Sequence, residues 1–344
     1  MAMSSGRGVH ESDGMEDVFL ALAAHRGGYV FRHDLIDYGL RDRDIRAAVR
    51  AGHLTRLRHG TYAPTSLVTP LSPEAKHVLI AYSVLDKLGP GVALSHHSAA
   101  LVHTPQSFGV DLDIVHVTQL SGRHGRKEAG VVFHVGDTTE DDLVEVDGRL
   151  VVAPARAAFE SACRSSTESG MVTMGAMMHD GKVAREELEQ LGATWERWPG
   201  SRHARIAIRL ADGRSESVGE SRSLFMFWRE GVPRPEMQVI IRTEDGRHVA
   251  RSDFAWLLYR HTGEFDGLFK YGRLNSYAND PGLAITEEKK REDLVRSLML
   301  GMSRWTWAGL DEKRRGRTAR DIMLGLEQSK RLYTRNATYI PLFV

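Results

Sequence analysis

The order of secondary-structure elements in the last third of the chain constrains its fold more than any other feature. Apolar periodicity there predicts a helix, three successive strands, a helix, a strand and a final helix. The predicted ranges are, in order, 219–230, 237–242, 249–256, 257–266, 287–300, 303–308 and 319–333. Three consecutive strands followed by a helix and a fourth strand are typical of one sheet covered by helices. We therefore predict an α/β/α domain over residues 200–344.

Four acidic residues of this block stand where the predicted elements can bring them together. They are Asp253 within a strand, Glu264 and Asp266 at the end of the next strand, and Glu220 near the start of the preceding helix. Carboxylates in apolar strands are costly to bury unless a cation compensates them, and Mg²⁺ bound to a substrate phosphate is such a cation. Ion pairs with Arg251 or Arg260 are the alternative, and the spacing alone favours it.

An Arg-rich segment near the N-terminus predicts contact with nucleic acid. Three short helices and a two-stranded hairpin over residues 15–66 indicate a winged helix-turn-helix domain. Residues 41–62 hold six Arg against two Asp, a net charge of +4 in a chain whose net charge is +1. An Arg face opposite an apolar face suits a recognition helix, and basic wing residues suit the phosphate backbone. The DNA-binding candidates are Arg41, Arg43, Arg46, Arg50, Arg56, Arg58 and Tyr62. The alternative is a solvated face on a docking module.

The remaining segments complete the predicted organisation. Residues 1–14 form a loose polar tail without a signal peptide, and residues 64–73, which hold three prolines, are a linker candidate. An α/β middle domain is expected over residues 73–191, with a softer boundary at 192–200. Cys163 is the single cysteine, which excludes an intrachain disulfide and a thiolate metal cluster. No apolar run is long enough to span a bilayer, so we expect a cytoplasmic protein with no membrane partner.

Several motifs of the C-terminal block resemble those of one nuclease family. They are residues 219–222 (GESR), 231–238 (GVPRPEMQ), 250–256 (ARSDFAW), 264–267 (EFDG), 288–294 (EKKREDL) and 304–307 (RWTW). In this order they resemble the very-short-patch-repair-type branch of the PD-(D/E)XK nuclease superfamily. The resemblance implies a restriction-endonuclease-like domain that hydrolyses phosphodiester bonds with Mg²⁺. It also implies that Asp253 and Glu264 are metal ligands and that Glu220 completes or orients the site.

The general base of such a nuclease stays open at this point. Asp266 stands where the wider superfamily pattern has a catalytic Lys. Lys270, four residues beyond it, and Lys289 on the predicted next helix are candidate substitutes, and a solvated surface position is the alternative for each. The resemblance makes Gln238 a candidate supporting ligand, with a water-facing strand residue as its alternative.

The N-terminal segment resembles a second family. Residues 28–30 (GYV), 44–52 (DIRAAVRAG) and 57–62 (LRHGTY) resemble the winged helix of AbiEi-type antitoxins of type IV toxin–antitoxin systems, and residues 93–100 (ALSHHSAA) resemble the next domain of that family. This resemblance implies that the chain binds and represses its own promoter. Double-stranded DNA is then the expected partner, with a cognate toxin and a second copy of the chain as further candidates.

These observations lead to two functional hypotheses for an α+β multidomain protein. The first is a DNA-binding protein of antitoxin type with an active Mg²⁺-dependent endonuclease domain. The second is a transcriptional repressor whose nuclease fold is inactive and serves binding or dimerisation. We predict no metal site from His96, His97 and His103, because neighbouring helical side chains point about 100° apart and the third residue is nearly two turns on.

Overall fold

A computed structural model describes residues 8–121, 124–243, 245–267, 297–334 and 342–343. The protein is a mixed α+β chain with three sheets, and it divides between Ser161 and Ala162 into two compact units. Among the described helices, none combines the length and apolar character needed to cross a membrane. The multidomain α+β organisation expected from the sequence is therefore confirmed.

The first unit opens with three helices and a small antiparallel sheet. Its elements are α1 (Gly8–Ala24), β1 (Val30–Phe31), α2 (Arg32–Asp37), α3 (Asp42–Ala51), β2 (Leu54–Arg58) and β3 (Thr61–Pro64). Strand β3 lies between β1 and β2. Phe19, Leu35 and Ile45, one from each helix, pack together with almost no exposure. Residues 8–14, predicted as part of a loose tail, belong to α1.

Local capping explains the bounds of α3. The backbone N–H of Arg41 donates to the carboxylate of Asp44 at 3.0 Å, which satisfies a donor at the helix start. At the other end Gly52 adopts φ = 81°, a left-handed conformation that glycine reaches without a steric penalty. The helix therefore ends where its sequence predicts.

The segment predicted as a linker is folded. It holds helix α4 (Thr65–Val68), and Val68 is buried with Tyr29, Phe31 and Ala63. Helix α5 (Pro73–Leu88) follows, and Ser72 caps it by accepting a hydrogen bond from the Ala75 N–H at 3.2 Å. Pro64 immediately precedes α4, Pro70 lies between the two helices and Pro73 is the first residue of α5. These prolines therefore accompany helix starts and do not mark a linker.

A six-stranded mixed sheet forms the rest of the first unit. Its elements are β4 (Val92–Leu94), α6 (His96–His103), β5 (Val115–Gln119), β6 (Arg126–Glu128), β7 (Val131–Val135), β8 (Leu143–Val146) and β9 (Arg149–Val152), with a 3₁₀ turn at Glu140–Asp142. Helix α7 (Pro154–Arg164) begins in this unit and its last residues belong to the second unit. The strand order is β6-β7-β5-β4-β9-β8, and β5 and β7 run parallel.

The second unit packs helices against a five-stranded sheet. Its elements are α8 (Thr167–His179), α9 (Arg185–Thr194), α10 (Ser201–Leu210), α11 (Val218–Glu230), β10 (Glu236–Arg242), β11 (His248–Trp256), β12 (His261–Asp266), β13 (Gly301–Thr306), α12 (Trp307–Leu310), α13 (Arg315–Tyr333) and β14 (Leu342–Phe343). The order across the sheet is β13-β12-β11-β10-β14. Strands β10, β11 and β12 are antiparallel neighbours, whereas β12 and β13 are parallel.

An aromatic cluster joins α11 to this sheet. The Phe227 ring meets Phe254, Trp256 and Trp305 edge to face at centroid distances of 5.3–5.5 Å. The Trp305 indole N–H donates to Ser223 Oγ at 2.7 Å, so its one polar atom is satisfied within the core. Together these contacts hold α11 against β11 and β13.

Two boundaries of the second unit differ from the sequence prediction. The predicted strand 257–266 begins only at His261, because Leu257–Tyr259 form a 3₁₀ turn and Arg260 adopts φ = 51°. The predicted break at 192–200 lies inside this unit, where Gly200 is so close to Cys163 that a Cβ would meet the Cys163 carbonyl oxygen at 1.9 Å. The predicted helix 287–300 lies almost entirely outside the described residues.

Candidate functional site

A row of polar side chains crosses four neighbouring strands of the second unit. The strand register pairs Met237 with Phe254 and Phe254 with Gly263, which places Gln238 opposite Asp253 and Asp253 opposite Glu264. Glu264 in turn pairs with Arg304 across the parallel strands. Residues directly opposite in neighbouring strands have their Cβ atoms about 4.5–5.5 Å apart. The sheet thus brings together the two carboxylates that the sequence predicts as metal ligands.

Glu220 is connected to this row through Gln238. The Gln238 amide donates to Glu220 Oε2 at 2.7 Å, and Ser217 Oγ donates to Glu220 Oε1 at 2.7 Å. The backbone N–H of Glu216 also donates to Oε2 at 3.0 Å. Glu220 is 6% exposed, so these three donors compensate a carboxylate that is largely removed from water.

Gln238 has an unusual backbone conformation for a strand residue. Its φ is 56°, in the left-handed region that residues with a Cβ seldom adopt. Strain of this kind costs on the order of 1 kcal/mol or more and persists where the surroundings enforce it. Here the strained residue is the one that links Glu220 to the row, which marks this point of the sheet as a candidate site.

The two strand carboxylates differ in their partners. Asp253 accepts a hydrogen bond from the Phe265 N–H at 3.0 Å, whereas Glu264 forms an ion pair with Arg304 at 3.1 Å. The side chain of Glu264 is 13% exposed, so this pair is only partly screened by water. Arg304 thus compensates the charge of Glu264, which the sequence analysis assigned to a metal ion.

The predicted catalytic set is brought together only in part. In the described portion of the chain, Glu220, Asp253 and Glu264 do not place one oxygen each within 4.8 Å of the other two. Asp266 lies on β12 two residues after Glu264 and pairs with Thr306. Lys270 and Lys289, the candidate bases, lie outside the described residues. The register sets Asp253 and Glu264 on facing strand positions, while Glu220 contacts Gln238.

The arginines expected to pair with these acids lie elsewhere. Arg251 pairs with Glu216 on the loop before α11. Arg260 is buried and donates to the carbonyl oxygens of Leu298 and Met299 at 3.1 and 3.2 Å. Sequence reasoning missed Arg304 as a site residue because its strand follows β12 only after a long excursion, and a local pattern does not reveal which strand it will join.

The basic segment of the first unit places several predicted side chains on an open helix face. Arg41, Arg43, Arg46 and Arg50 of the α3 region are all exposed, while Ile45 and Ala48 are buried on the opposite face. Both nearby acids form ion pairs. Asp42 pairs with Arg32 at 2.7 Å, and Asp44 pairs with Arg41 and Arg43. Those hydrogen bonds lower the pKa of both carboxyls, so they stay ionised.

Arg46 and Arg50 are the arginines of this face that make no close ion pair within the described part of the chain, although Arg46 still feels the charge of nearby Asp42. Neither forms an ion pair within 4.0 Å with any residue that the structure describes. They lie four positions apart and so project from the same side of α3. We call this pair the α3 basic face.

The three predicted residues on the hairpin behave differently from one another. Arg56 is exposed and its guanidinium lies 3.2 Å from His59 Nδ1. Arg58 is half-buried and donates to the Ala129 carbonyl oxygen, and this burial lowers its pKa. Tyr62 packs against the core of the three helices. Of the three, Arg56 is the side chain presented to solvent.

Comparison with known proteins identifies relatives but no activity. No family model matches the chain. Two proteins of Mycobacterium tuberculosis, "Uncharacterized protein MT2308" and "Uncharacterized protein Rv2248", are each similar to this chain, with 29% identity over 224 residues, 64% of this chain and 76% of theirs. Among solved structures, the RV2827C protein from the same species aligns with a TM-score of 0.36 and 18% identity, covering 60% of this chain and 78% of that one.

Proposed function

We propose that this chain binds double-stranded DNA through the α3 basic face. The observation that carries the proposal is the exposure of Arg46 and Arg50 on a helix whose opposite side, at Ile45 and Ala48, is anchored in the core. A helix held in this way can enter the major groove with its basic side outward. The order of α1, β1, α2, α3, β2 and β3 supports a winged helix-turn-helix domain, in which the third helix reads DNA.

The hairpin of β2 and β3, the wing of this domain, adds a contact to the DNA backbone in this proposal. Arg56 on β2 is the exposed hairpin cation, and it suits a phosphate contact that positions the domain without reading sequence. The resemblance to AbiEi-type antitoxins supports binding to the promoter of its own operon, which makes the chain a repressor with a cognate toxin. A cytoplasmic location goes with this proposal because such a promoter lies in that compartment.

Binding to labelled duplex DNA from the region upstream of its own gene tests the proposal. Fluorescence anisotropy at several salt concentrations gives both the affinity and the salt slope, and Arg46→Ala with Arg50→Ala should reduce that slope by about two. Arg205→Ala with Arg209→Ala is the matched control, since these exposed residues of α10 have the same spacing and the same charge. Equal binding by wild type and the α3 variant would overturn the proposal.

A second candidate function, phosphodiester hydrolysis, is favoured by the polar row of the second unit. The register sets Asp253 beside Glu264, and Gln238 on the next strand contacts Glu220, which supports this candidate. A bound Mg²⁺ would polarise a scissile phosphodiester and activate a water molecule. Asp253 and Glu264 are the residues that would hold it. Glu220 orients Gln238. Arg304, which pairs with Glu264 in the structure, would turn to a phosphate oxygen as the ion binds to Glu264.

Conversion of supercoiled plasmid to nicked circles in Mg²⁺ tests this second function. Asp253→Asn keeps an oxygen that can accept from the Phe265 N–H but removes the charge, so nicking should fall to background. Asp321→Asn is the control. It removes the same charge from a carboxylate on α13 that is 68% exposed and lies outside the candidate site. Nicking that Asp253→Asn leaves unchanged would assign the activity to a contaminant and leave DNA binding as the function.

A further inference from the structure

Three imidazoles of the first unit lie close together, two on neighbouring strands of its six-stranded sheet and one at the start of α6. They come from three separate elements: His96 at the start of α6, His116 on β5 and His134 on β7. One ligand nitrogen from each lies within 4.8 Å of the other two. His96 and His116 are each 6% exposed, so the group is largely enclosed by protein.

The parallel pairing of β5 and β7 creates this convergence. Thr118 pairs with His134, so His116, two residues earlier on β5, shares a face of the sheet with His134. The His116 Nδ1 and His134 Nε2 atoms are 2.7 Å apart. The His96 ring stacks on the His134 ring at a centroid distance of 3.7 Å. The histidines near His96 in sequence are engaged elsewhere: His97 with the Ile114 carbonyl and His103 with the Val152 carbonyl.

A second layer of polar groups orients His96. Its Nδ1 lies 3.0 Å from Ser95 Oγ and 3.4 Å from Glu160 Oε2. Glu160 is in turn held by Arg156, whose Nε donates to Oε1 at 2.8 Å. A carboxylate that binds the far nitrogen of a histidine is the usual support of a metal ligand, because it fixes the tautomer and raises ligand basicity. With Nδ1 donating to Ser95 Oγ, Nε2 would be the nitrogen that binds a metal.

We infer that His96, His116 and His134 form a binding site for a divalent transition-metal ion. Imidazole ligands suit Zn²⁺, Cu²⁺, Ni²⁺ and Fe²⁺ rather than Mg²⁺, so this site is distinct in chemistry from the carboxylates of the second unit. Three imidazoles leave one position of a tetrahedral ion for water or a small ligand.

The geometry requires the rings to move apart on binding. Two nitrogens at about 2.0–2.1 Å from one tetrahedral ion are roughly 3.3 Å apart, so the contact between His116 and His134 must open by about 0.6 Å. The stacked rings of His96 and His134 must also separate and tilt, because ligands of a tetrahedral ion diverge from it. His134 is the partly exposed member of the group, and rotation of its side chain would serve both changes. His96 also adopts φ = 51°, a conformation that is costly for a residue with a Cβ and that aims its ring at the other two.

Metal loading of untagged full-length protein tests the inference. The protein is stripped with a chelator and loaded with Zn²⁺ alone or Co²⁺ alone, and bound metal is measured by elemental analysis and by visible absorption of Co²⁺. Wild type should retain one equivalent of Zn²⁺ through dialysis and show tetrahedral Co²⁺ bands. His134→Asn, the least buried ligand variant, should lose both signals. His103→Gln is the matched control, because it removes an imidazole from the same helix as His96 but not from the group.

The outcomes separate a metal site from a hydrogen-bonded histidine cluster. Stoichiometric metal in wild type and in His103→Gln, but not in His134→Asn, supports the site. Failure of folded wild type to retain Zn²⁺ or to give Co²⁺ bands would overturn it, and so would equal retention by His134→Asn. Circular dichroism of each variant shows that folding is kept, and the wild-type measurement alone decides the matter if a variant fails to fold.

Discussion

The guanidinium of Arg149 on β9 donates hydrogen bonds to both carboxylate oxygens of Asp86 on α5, at 2.8 and 3.0 Å. It also donates to the hydroxyl oxygen of Tyr29 at 3.0 Å. Tyr29 itself donates to Asp86. The Arg149 and Asp86 side chains are 13% and 22% exposed. This triad ties the N-terminal helices to the sheet that follows them within the first unit.

Arg149→Met should therefore destabilise the first unit strongly. The variant leaves Asp86 partly buried without its main cation, and breaking such a pair costs about 3 kcal/mol. Arg126→Met is the control, because Arg126 and Glu128 are 54% and 68% exposed and such surface pairs contribute about 0–1 kcal/mol. Urea denaturation followed by circular dichroism measures both free energies of unfolding. Equal losses in the two variants would contradict this interpretation of the triad.

His261 makes the second unit sensitive to acid. Burial lowers the pKa of this imidazole to about 4, while its two nitrogens are hydrogen-bonded to Ser329 and Ser303 at 2.8 Å. Between about pH 6.5 and pH 4 the unfolded chain binds a proton that the folded chain does not, so the free energy of unfolding falls as the pH falls. The full effect of this residue is roughly 3 kcal/mol.

The test compares wild type with His261→Gln near pH 7 and at about pH 5. The variant should be less stable near pH 7, because one hydrogen bond is lost, yet it should lose less stability between the two pH values. If both proteins lose the same amount, protonation of His261 does not contribute to the acid sensitivity.

Gly219 is required by the close approach of α11 to β12. A Cβ at this position would lie 1.9 Å from a ring carbon of Phe265, so Gly219→Ala should force the helix and strand apart and cost about 1–3 kcal/mol. Gly316→Ala, whose new Cβ would meet only the end of the flexible Glu230 side chain at 3.3 Å, should be near neutral. Thermal unfolding of the two variants provides the comparison. A neutral Gly219→Ala would show that the contact relaxes without cost.

Substitution of Arg56 and of Arg58 should have different effects in DNA-binding assays, although the sequence analysis assigns both residues to the same basic segment. Arg56→Ala removes an exposed cation and should weaken binding and reduce the salt slope by about one. Arg58→Ala removes a hydrogen bond to Ala129 and should lower the free energy of unfolding by about 1–3 kcal/mol while the affinity stays close to wild type. Anisotropy titrations combined with denaturation decide the question. The opposite ranking would place the wing in another orientation.

Periodicity alone predicted much of the fold. The C-terminal strands at 237–242 and 249–256 are found as Glu236–Arg242 and His248–Trp256, and α3 ends at Gly52 as its glycine indicates. These elements are set by side-chain alternation and capping, which operate over a few residues. The linker prediction at 64–73 failed because proline is equally suited to a helix start, and packing of Val68 decides between the two.

The candidate site was predictable where its residues share a hairpin. Asp253 and Glu264 lie on adjacent antiparallel strands, so their proximity follows from the strand pattern. Arg304, and His116 and His134 of the proposed metal site, were missed because parallel pairing joins strands that are separated by intervening chain, and no local signal selects the partner strand. The histidines that the sequence does place side by side, His96 and His97, turn out to serve different contacts.

The tryptophans in the aromatic cluster around Phe227 affect how the unfolding of these variants can be followed. All six tryptophans of the chain, including Trp256 and Trp305, lie after Ser161, so indole fluorescence is emitted by the second unit alone. A variant in the first unit that shifts the circular dichroism transition but not the emission transition would reveal that the two units melt as separate cooperative blocks. The chain thus carries a built-in optical label for one of its two halves.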